Sequence, residues 1–167
     1  MLLSFSLDQQ HLPVKMAPNM VIQNMPFKVG QTVAIAGTNT PNAANFSVNF
    51  GHNDENYALH LNPRFDACGQ RNTIVCNSLE KGCWKEEVFP GGFAFFKGEN
   101  FKIIIKLTCG GFLITLPDGF QFTFPNRLHS DLMCSESNYN HAYQFWIRLD
   151  FAWLSNGHFS FHGVFSK

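Results

Sequence analysis

The 167-residue chain carries few charged side chains and no excess of either sign. Charged residues make up 14% of the sequence, against about 25% in typical globular proteins, and 12 basic residues balance 12 acidic ones. Balanced charge supplies no field that would hold a polyanion, so nucleic acid is not expected as a partner. The 45% apolar content also excludes a disordered polyelectrolyte.

Long apolar runs are missing as well. No run approaches the roughly 18–20 residues that a membrane-spanning helix requires, so we expect no membrane insertion. The stretch Met1–Leu7 contains no basic residue and is followed at once by Asp8, so it lacks the features of a secretory signal.

Cysteine occurs only five times, and no two cysteines form a CxxC pair. The odd number and the spacing disfavour a disulfide framework and a tetrathiolate zinc site, and they predict free thiols in a reducing compartment. The five are Cys68, Cys76, Cys83, Cys109 and Cys134.

Phenylalanine, by contrast, is abundant, with 19 residues, and the apolar pattern is that of β-strands. Between Phe101 and Leu107 apolar residues alternate with Lys102 and Lys106, which is the two-residue period of a sheet with one covered face. Similar short runs recur at Gln31–Gly37, Asn45–Phe50, Tyr57–Leu61, Thr73–Asn77, Phe112–Leu116 and Phe120–Phe124. Turn sequences separate these runs, so the sequence predicts an antiparallel all-β sandwich or barrel.

Two segments differ from this pattern. Residues 1–17 precede the first clear strand, and we expect them to form a loosely held N-terminal extension. Residues 129–153 begin polar and end in an apolar run that would share one face of a strand: Phe145, Ile147, Leu149, Phe151 and Trp153. That run is either an additional core strand or an exposed aromatic strip used for self-association.

The polar side chains of residues 59–65 form the most informative pattern. In an extended conformation His60, Asn62 and Arg64 project together from one face, about 6.5–7 Å apart, which is close to the span of a sugar ring. An imidazole, a carboxamide and a guanidinium can surround a hydroxyl that both donates and accepts hydrogen bonds. Because Pro63 cannot donate to a sheet, we expect the strand to end or bend there.

The next run adds to this face. Asn77 would join the polar side chains from the strand Asn72–Ser78, and Trp84 follows soon after. An indole offers a flat apolar plate for the C–H face of a sugar. The combination indicates a carbohydrate-binding site.

At this point several blocks of the sequence resemble the galectins. They are His60-Leu61-Asn62-Pro63-Arg64-Phe65-Asp66, Ile74-Val75-Cys76-Asn77-Ser78, Trp84-Lys85-Glu86-Glu87, Leu116-Pro117-Asp118-Gly119 and Phe124-Pro125-Asn126-Arg127-Leu128. The likeness to single-domain galectins runs from about Val21 to Leu128 and resumes at Leu154–Phe165 for a closing strand.

The resemblance implies a two-sheet antiparallel jelly-roll sandwich. After the extension at 1–17, residues 18–167 would form one carbohydrate-recognition domain, with the atypical segment 129–153 inside it. A groove on one sheet would bind β-galactosides of the lactose or N-acetyllactosamine type, without a cofactor or a metal.

The resemblance also assigns a role to each site residue. His60, Asn62 and Arg64 would hydrogen-bond the axial 4-hydroxyl of galactose. Asn77 would take the 6-hydroxyl, and Trp84 would stack on the ring. Glu87 matches the carboxylate that orients arginines and contacts the neighbouring sugar.

The chain departs from the family pattern beside that carboxylate. Aligned without a gap, Phe89 occupies a position that is usually arginine, and Lys85 one that is often glycine. Loss of one charge-assisted hydrogen bond would weaken lactose binding by about 1.5–3 kcal/mol. Glu87 would lose a cationic partner, which Arg71 or Lys85 could replace by reaching across.

Other functions have weaker support. A glycosidase needs two carboxylates flanking the bond, whereas Glu86 and Glu87 are adjacent and would face opposite sides of a strand. Cys76 or Cys83 would need a distant histidine to act as a nucleophile. We therefore expect no enzymatic activity.

A zinc site would need further ligands besides His158 and His162, which share a strand face, so no metal is expected. The serious alternative is a galectin-fold protein that has lost sugar binding and acts as a protein-interaction or structural module. Phe89 and the segment 129–153 favour that alternative, while the remaining site residues oppose it.

The resemblance implies partners and location too. We expect β-galactoside glycans on glycoproteins or glycolipids as partners, and homodimers paired through terminal strands as a further possibility. It implies a cytoplasmic protein that can also reach the extracellular space without a signal peptide.

Overall fold

The protein was examined as a computed structural model that describes residues 14–16, 20–128, 143–151 and 158–162, with side chains for 20–128 and 143–150. The strands are β1 (Val14–Met16), β2 (Met20–Phe27), β3 (Thr32–Thr38), β4 (Phe46–Asn53), β5 (Asn56–Ala67), β6 (Gln70–Glu80), β7 (Cys83–Trp84), β8 (Asn100–Thr108), β9 (Gly111–Thr115), β10 (Gln121–Phe124), β11 (Tyr143–Phe151) and β12 (His158–His162). No helix with the length and apolar character to cross a membrane occurs within these ranges.

The strands form two six-stranded sheets. One has the order β1-β12-β3-β8-β9-β10, and the other has the order β2-β11-β4-β5-β6-β7. All paired neighbours run antiparallel. The predicted all-β, two-sheet antiparallel fold is therefore confirmed, and each of the short alternating runs of the sequence falls on a strand.

Phenylalanine rings fill the space between the sheets. Phe27, Phe50, Phe112 and Phe145 are fully buried, and five pairs among them have ring centroids 5.7–6.3 Å apart in tilted or edge-to-face arrangements. Burial of each such ring is worth about 1.5–3 kcal/mol, and edge contacts between rings add to it. The high phenylalanine content is thus explained by the core.

The atypical segment contributes a central strand. Strand β11 lies between β2 and β4, and its Phe145, Ile147 and Leu149 are fully buried. The interpretation of this run as a core strand is confirmed for these three residues, while the side chains of Phe151 and Trp153 lie outside the described residues. Within the expected N-terminal extension, Val14–Met16 forms β1 and pairs with β12.

The prediction that Pro63 ends its strand is wrong, while the alternative that the strand bends there stays a prediction. Strand β5 continues through Pro63, which is paired with Ile74 on β6, as far as Ala67. On the other side, the Phe46 carbonyl accepts a hydrogen bond from the side-chain Nδ2 of Asn62 at 2.6 Å. An amide side chain thus supplies a donor where the proline has none, so the strand continues.

Candidate functional site

The site lies on the outer face of the second sheet. In the register of β5 and β6, His60 is opposite Asn77, and in that of β6 and β7, Leu79 is opposite Trp84. Leu59 and Leu61, which flank His60, are fully buried in the core. Since side chains alternate along a strand, His60, Asn62 and Arg64 project from the opposite face, as the sequence predicts.

Arg64 is the centre of the polar network. Its Nε donates to Asn62 Oδ1 at 2.8 Å and its Nη2 to Glu87 Oε1 at 2.9 Å, while Nη1 donates to Gln70 Oε1. The side chain is only 10% exposed, whereas that of Glu87 is 39% exposed. Three of the five N–H groups of a guanidinium are used in this way, which leaves two for a ligand.

Glu87 therefore has a cationic partner. That partner is Arg64; the additional arginine of the family pattern, replaced here by Phe89, is not compensated by Arg71 or Lys85. Arg71 pairs with Asp66 at 3.1 Å instead, and Lys85 pairs with Glu80 at 2.7 Å.

Phe89 follows Val88, which is paired with Cys76 and packs against the core. Phe89 is 52% exposed. An exposed apolar residue thus stands at the chain position where the family pattern would place a second guanidinium.

His60 is held neutral beside this network. Its Nδ1 lies 2.5 Å from Asn49 Oδ1 on β4. Burial, reinforced by the positive charge of Arg64, lowers the pKa of His60 to about 4. At neutral pH the imidazole is therefore uncharged and keeps one nitrogen lone pair for a hydrogen-bond donor.

Trp84 forms an apolar wall at one end of the polar strip. Its ring is 4.7 Å from that of His60 and 6.2 Å from that of Tyr57, centroid to centroid, and the residue is 53% exposed. The indole is therefore both packed against the site and accessible, as stacking on a sugar ring requires.

The short segment that carries Trp84 and Glu87 is anchored from two sides. Asn77 is nearly buried, and its Nδ2 donates to the Lys85 carbonyl at 2.8 Å. Arg127, which follows β10, donates from Nη1 to the Glu86 carbonyl at 2.9 Å. Sequence reasoning missed the roles of Arg127, Gln70 and Asn49, because each depends on the register or approach of segments that alternation along a single strand does not define.

The geometry gives little support to the other two functions considered, a cysteine nucleophile and a metal site. Cys76 is fully buried, and burial raises the pKa of its thiol, so it carries no thiolate nucleophile. Cys68, Cys76 and Cys83 are free thiols, as predicted, while Cys134 lies outside the described residues. Among the side chains described, no three histidine, cysteine or acidic groups cluster to hold a metal ion. The side chains of His158 and His162 are not among those described.

Comparison with known proteins gives the class to which this fold and this site belong. The family model for galactoside-binding lectins matches residues 18–150. The β-galactoside-binding lectin of Electrophorus electricus is 44% identical over 107 residues, which cover 64% of this chain and 83% of that lectin. Galectin-1 of Ovis aries is 41% identical over 114 residues, covering 68% of this chain and 84% of galectin-1.

Solved structures agree with this result. Galectin-1-L2 of Dario rerio superimposes with a TM-score of 0.68 at 41% identity, over 87% of this chain and 98% of that one. CG-16, a homodimeric agglutinin from chicken liver, gives 0.66 at 31% identity over 84% and 98%. A toad ovary galectin in complex with thio-digalactose gives 0.68 at 28% identity over 86% and 99%. The chain belongs to the galactoside-binding lectin family, the galectins.

Proposed function

We propose that this protein is a β-galactoside-binding lectin whose sugar site is the groove between Arg64 and Trp84. The observation that carries the proposal is the planar guanidinium of Arg64, fixed by Asn62 and Glu87 beside a half-exposed indole. Fixed polar donors next to an apolar plate are the two features that sugar recognition needs, because a pyranose has a polar edge and an apolar C–H face.

The hydrogen-bonding capacity of the site fits galactose. The axial 4-hydroxyl can donate to the neutral His60 and accept from a free N–H of Arg64, while Trp84 covers the apolar face of the ring. An equatorial 4-hydroxyl points away from this position and leaves those groups unpaired. Each unpaired group costs about 1–3 kcal/mol, so the site selects galactose over glucose.

Binding is weak because, among the described residues, Glu87 pairs with one guanidinium, that of Arg64, rather than with two. The exposed residue after Val88 is the apolar Phe89. A second charge-assisted hydrogen bond would contribute about 1.5–3 kcal/mol.

Retention on lactosyl-agarose, with elution by free lactose, tests the proposal. Trp84→Ala removes the apolar plate, and Phe96→Ala is the matched control, because Phe96 is a 63% exposed aromatic residue outside the site. We expect the wild type and the control to be retained and Trp84→Ala to pass through. If none of the three is retained at millimolar sugar, the chain is a galectin-fold module without sugar binding.

The protein acts by binding rather than catalysis. The Glu87 carboxylate is paired with Arg64, so it serves to hold the guanidinium rather than to act as one of the two carboxylates that flank a glycosidic bond. We expect a chromogenic galactoside to remain unhydrolysed at high protein concentration, and measurable turnover would contradict this.

The oligomeric state, the partners and the location in the cell are part of the same proposal. Homodimers are supported by the homodimeric relative CG-16 and by β1 and β2, which lie at the edges of their sheets and leave strand edges for pairing. The mass in solution tests this. Galactose-bearing glycoproteins or glycolipids would be the partners of a protein made in the cytoplasm and exported without a signal peptide, and fractionation of expressing cells tests that location.

A further inference from the structure

One amide behind the site is fixed by acceptors on the neighbouring strand. Asn49 on β4 is 2% exposed. Its Nδ2 lies 3.1 Å from Asp150 Oδ2, 3.2 Å from the Arg148 carbonyl and 3.1 Å from Ser47 Oγ. A carboxylate and a main-chain carbonyl only accept hydrogen bonds, so the NH₂ end of the amide must face Asp150 and Arg148. The orientation of Asn49 thus follows from its surroundings.

The orientation of Asn49 determines the proton on His60. With its NH₂ end toward β11, Asn49 presents Oδ1 to His60 Nδ1 at 2.5 Å. An amide oxygen carries no hydrogen, so the bond between these two atoms requires a proton on Nδ1. In a neutral imidazole the other nitrogen, Nε2, is then an acceptor.

The carboxylate behind Asn49 is itself held in place. Arg148 Nε donates to both oxygens of Asp150, at 2.9 and 3.0 Å, and Arg148 Nη1 pairs with Asp54 at 2.8 Å. Asp150 therefore orients the amide while its own charge is balanced by the guanidinium. Asn49 lies between this ion pair and His60 and keeps the carboxylate out of direct contact with the ring.

We propose that Asn49 and Asp150 are positioning residues that hold His60 with its proton on Nδ1, so that Nε2 accepts a hydrogen bond from a ligand hydroxyl. The inference rests on the proposed function and adds the two residues that hold the imidazole in the tautomer that this function requires. The sugar hydroxyl at His60 acts as donor, and the N–H groups of Arg64 remain for a hydroxyl as acceptor. A ligand with an ether oxygen at this position would be rejected.

Few charged groups surround His60 among the described residues. On its own strand Arg64 contributes a positive charge, and beyond Asn49 the Arg148 guanidinium is shared by the carboxylates of Asp150 and Asp54. The facing residues of β6 and β7, Asn77 and Trp84, carry no charge. Exchange of the amide and the carboxylate would therefore bring a negative charge into direct contact with the ring.

The first test reads the proton directly and needs no sugar and no variant. A long-range proton–nitrogen correlation spectrum of the wild-type imidazole at pH 7 distinguishes a protonated ring nitrogen from a bare one. We expect a protonated Nδ1 and a bare Nε2 for His60. A protonated Nε2, or an even mixture of the two forms, would overturn the inference.

The second test exchanges the two groups in the double variant Asn49→Asp/Asp150→Asn, which conserves net charge and nearly conserves side-chain volume. A carboxylate in contact with an imidazole raises its pKa by about 1–3 units. We therefore expect lactose affinity close to that of the wild type at pH 8 and about tenfold lower at pH 5, because the protonated ring has no acceptor. The wild type should change little over this range.

The control is Asp66→Asn, which removes an exposed carboxylate from the same strand and should follow the wild-type profile. A double variant that folds and shows the wild-type pH profile would overturn the inference, since a merely structural role of Asn49 predicts no pH effect. If the wild type shows a protonated Nδ1 but binds no lactose, the proposed function fails while the tautomer assignment is supported.

Discussion

Replacement of Arg64 by lysine keeps the positive charge but removes the planar fork. Arg64 reaches Asn62, Gln70 and Glu87 from three different nitrogen atoms, at 2.8 and 2.9 Å for the first and last. A lysine ammonium has its three N–H groups on one atom and cannot span these acceptors. At least one charge-assisted hydrogen bond, to the ligand or to Glu87, is therefore lost.

The magnitude follows from that single bond. A charge-assisted hydrogen bond is worth about 1.5–3 kcal/mol, which corresponds to a roughly 10- to 100-fold loss of lactose affinity. Isothermal titration of the wild type and Arg64→Lys with lactose measures this loss. Arg71→Lys is the matched control, because Arg71 makes one exposed ion pair, and it should bind within about twofold of the wild type. An Arg64→Lys protein that binds lactose within about threefold of the wild type would refute the reasoning.

Three further predictions concern pH, the Trp84 segment and the core. The pKa of His60 is about 4 in the folded protein and near 6.5 in the unfolded chain, so the unfolded chain takes up the proton first as the pH falls. The free energy of unfolding should therefore decrease as the pH drops from about 6.5 to 4. Denaturation experiments that show no such decrease would contradict this. Arg127→Met removes the hydrogen bond to the Glu86 carbonyl and should lower lactose affinity about 2- to 10-fold with the melting temperature largely kept; unchanged affinity in calorimetry would argue against this anchor. Phe145→Ala should cost about 3–5 kcal/mol in urea unfolding, and a loss below about 1 kcal/mol would show that the site repacks.

The sequence alone predicts which side chains share the face of the site, but not which residues on other strands hold them in place. Alternation along one strand is a local property, so His60, Asn62 and Arg64 could be placed together without knowledge of any other strand. Register between strands is not local. That Asn49 lies opposite His60 depends on the register of β4 and β5, and that Asp150 lies behind Asn49 depends on β11 being inserted between β2 and β4.

One expectation failed because a group across the sheet overrode a local rule. Pro63 does not end β5, since the Asn62 side chain donates to the carbonyl of Phe46 in place of the missing proline N–H. A second question could not be answered from the sequence: Arg71 and Lys85 pair with Asp66 and Glu80 and do not replace the family's additional arginine at Glu87. In both cases the missing information was which group lay within reach in the folded sheet.

The central claim is that the groove distinguishes the axial 4-hydroxyl of galactose, and lactose and cellobiose differ only in that group. Calorimetric titration of the wild-type protein with each disaccharide at neutral pH is therefore the most direct measurement. The geometry around His60, Arg64 and Trp84 predicts that lactose binds at least about tenfold more tightly than cellobiose, since a misplaced hydroxyl leaves buried polar groups unpaired. Equal affinity for the two sugars, or no heat from either at millimolar concentration, would contradict it.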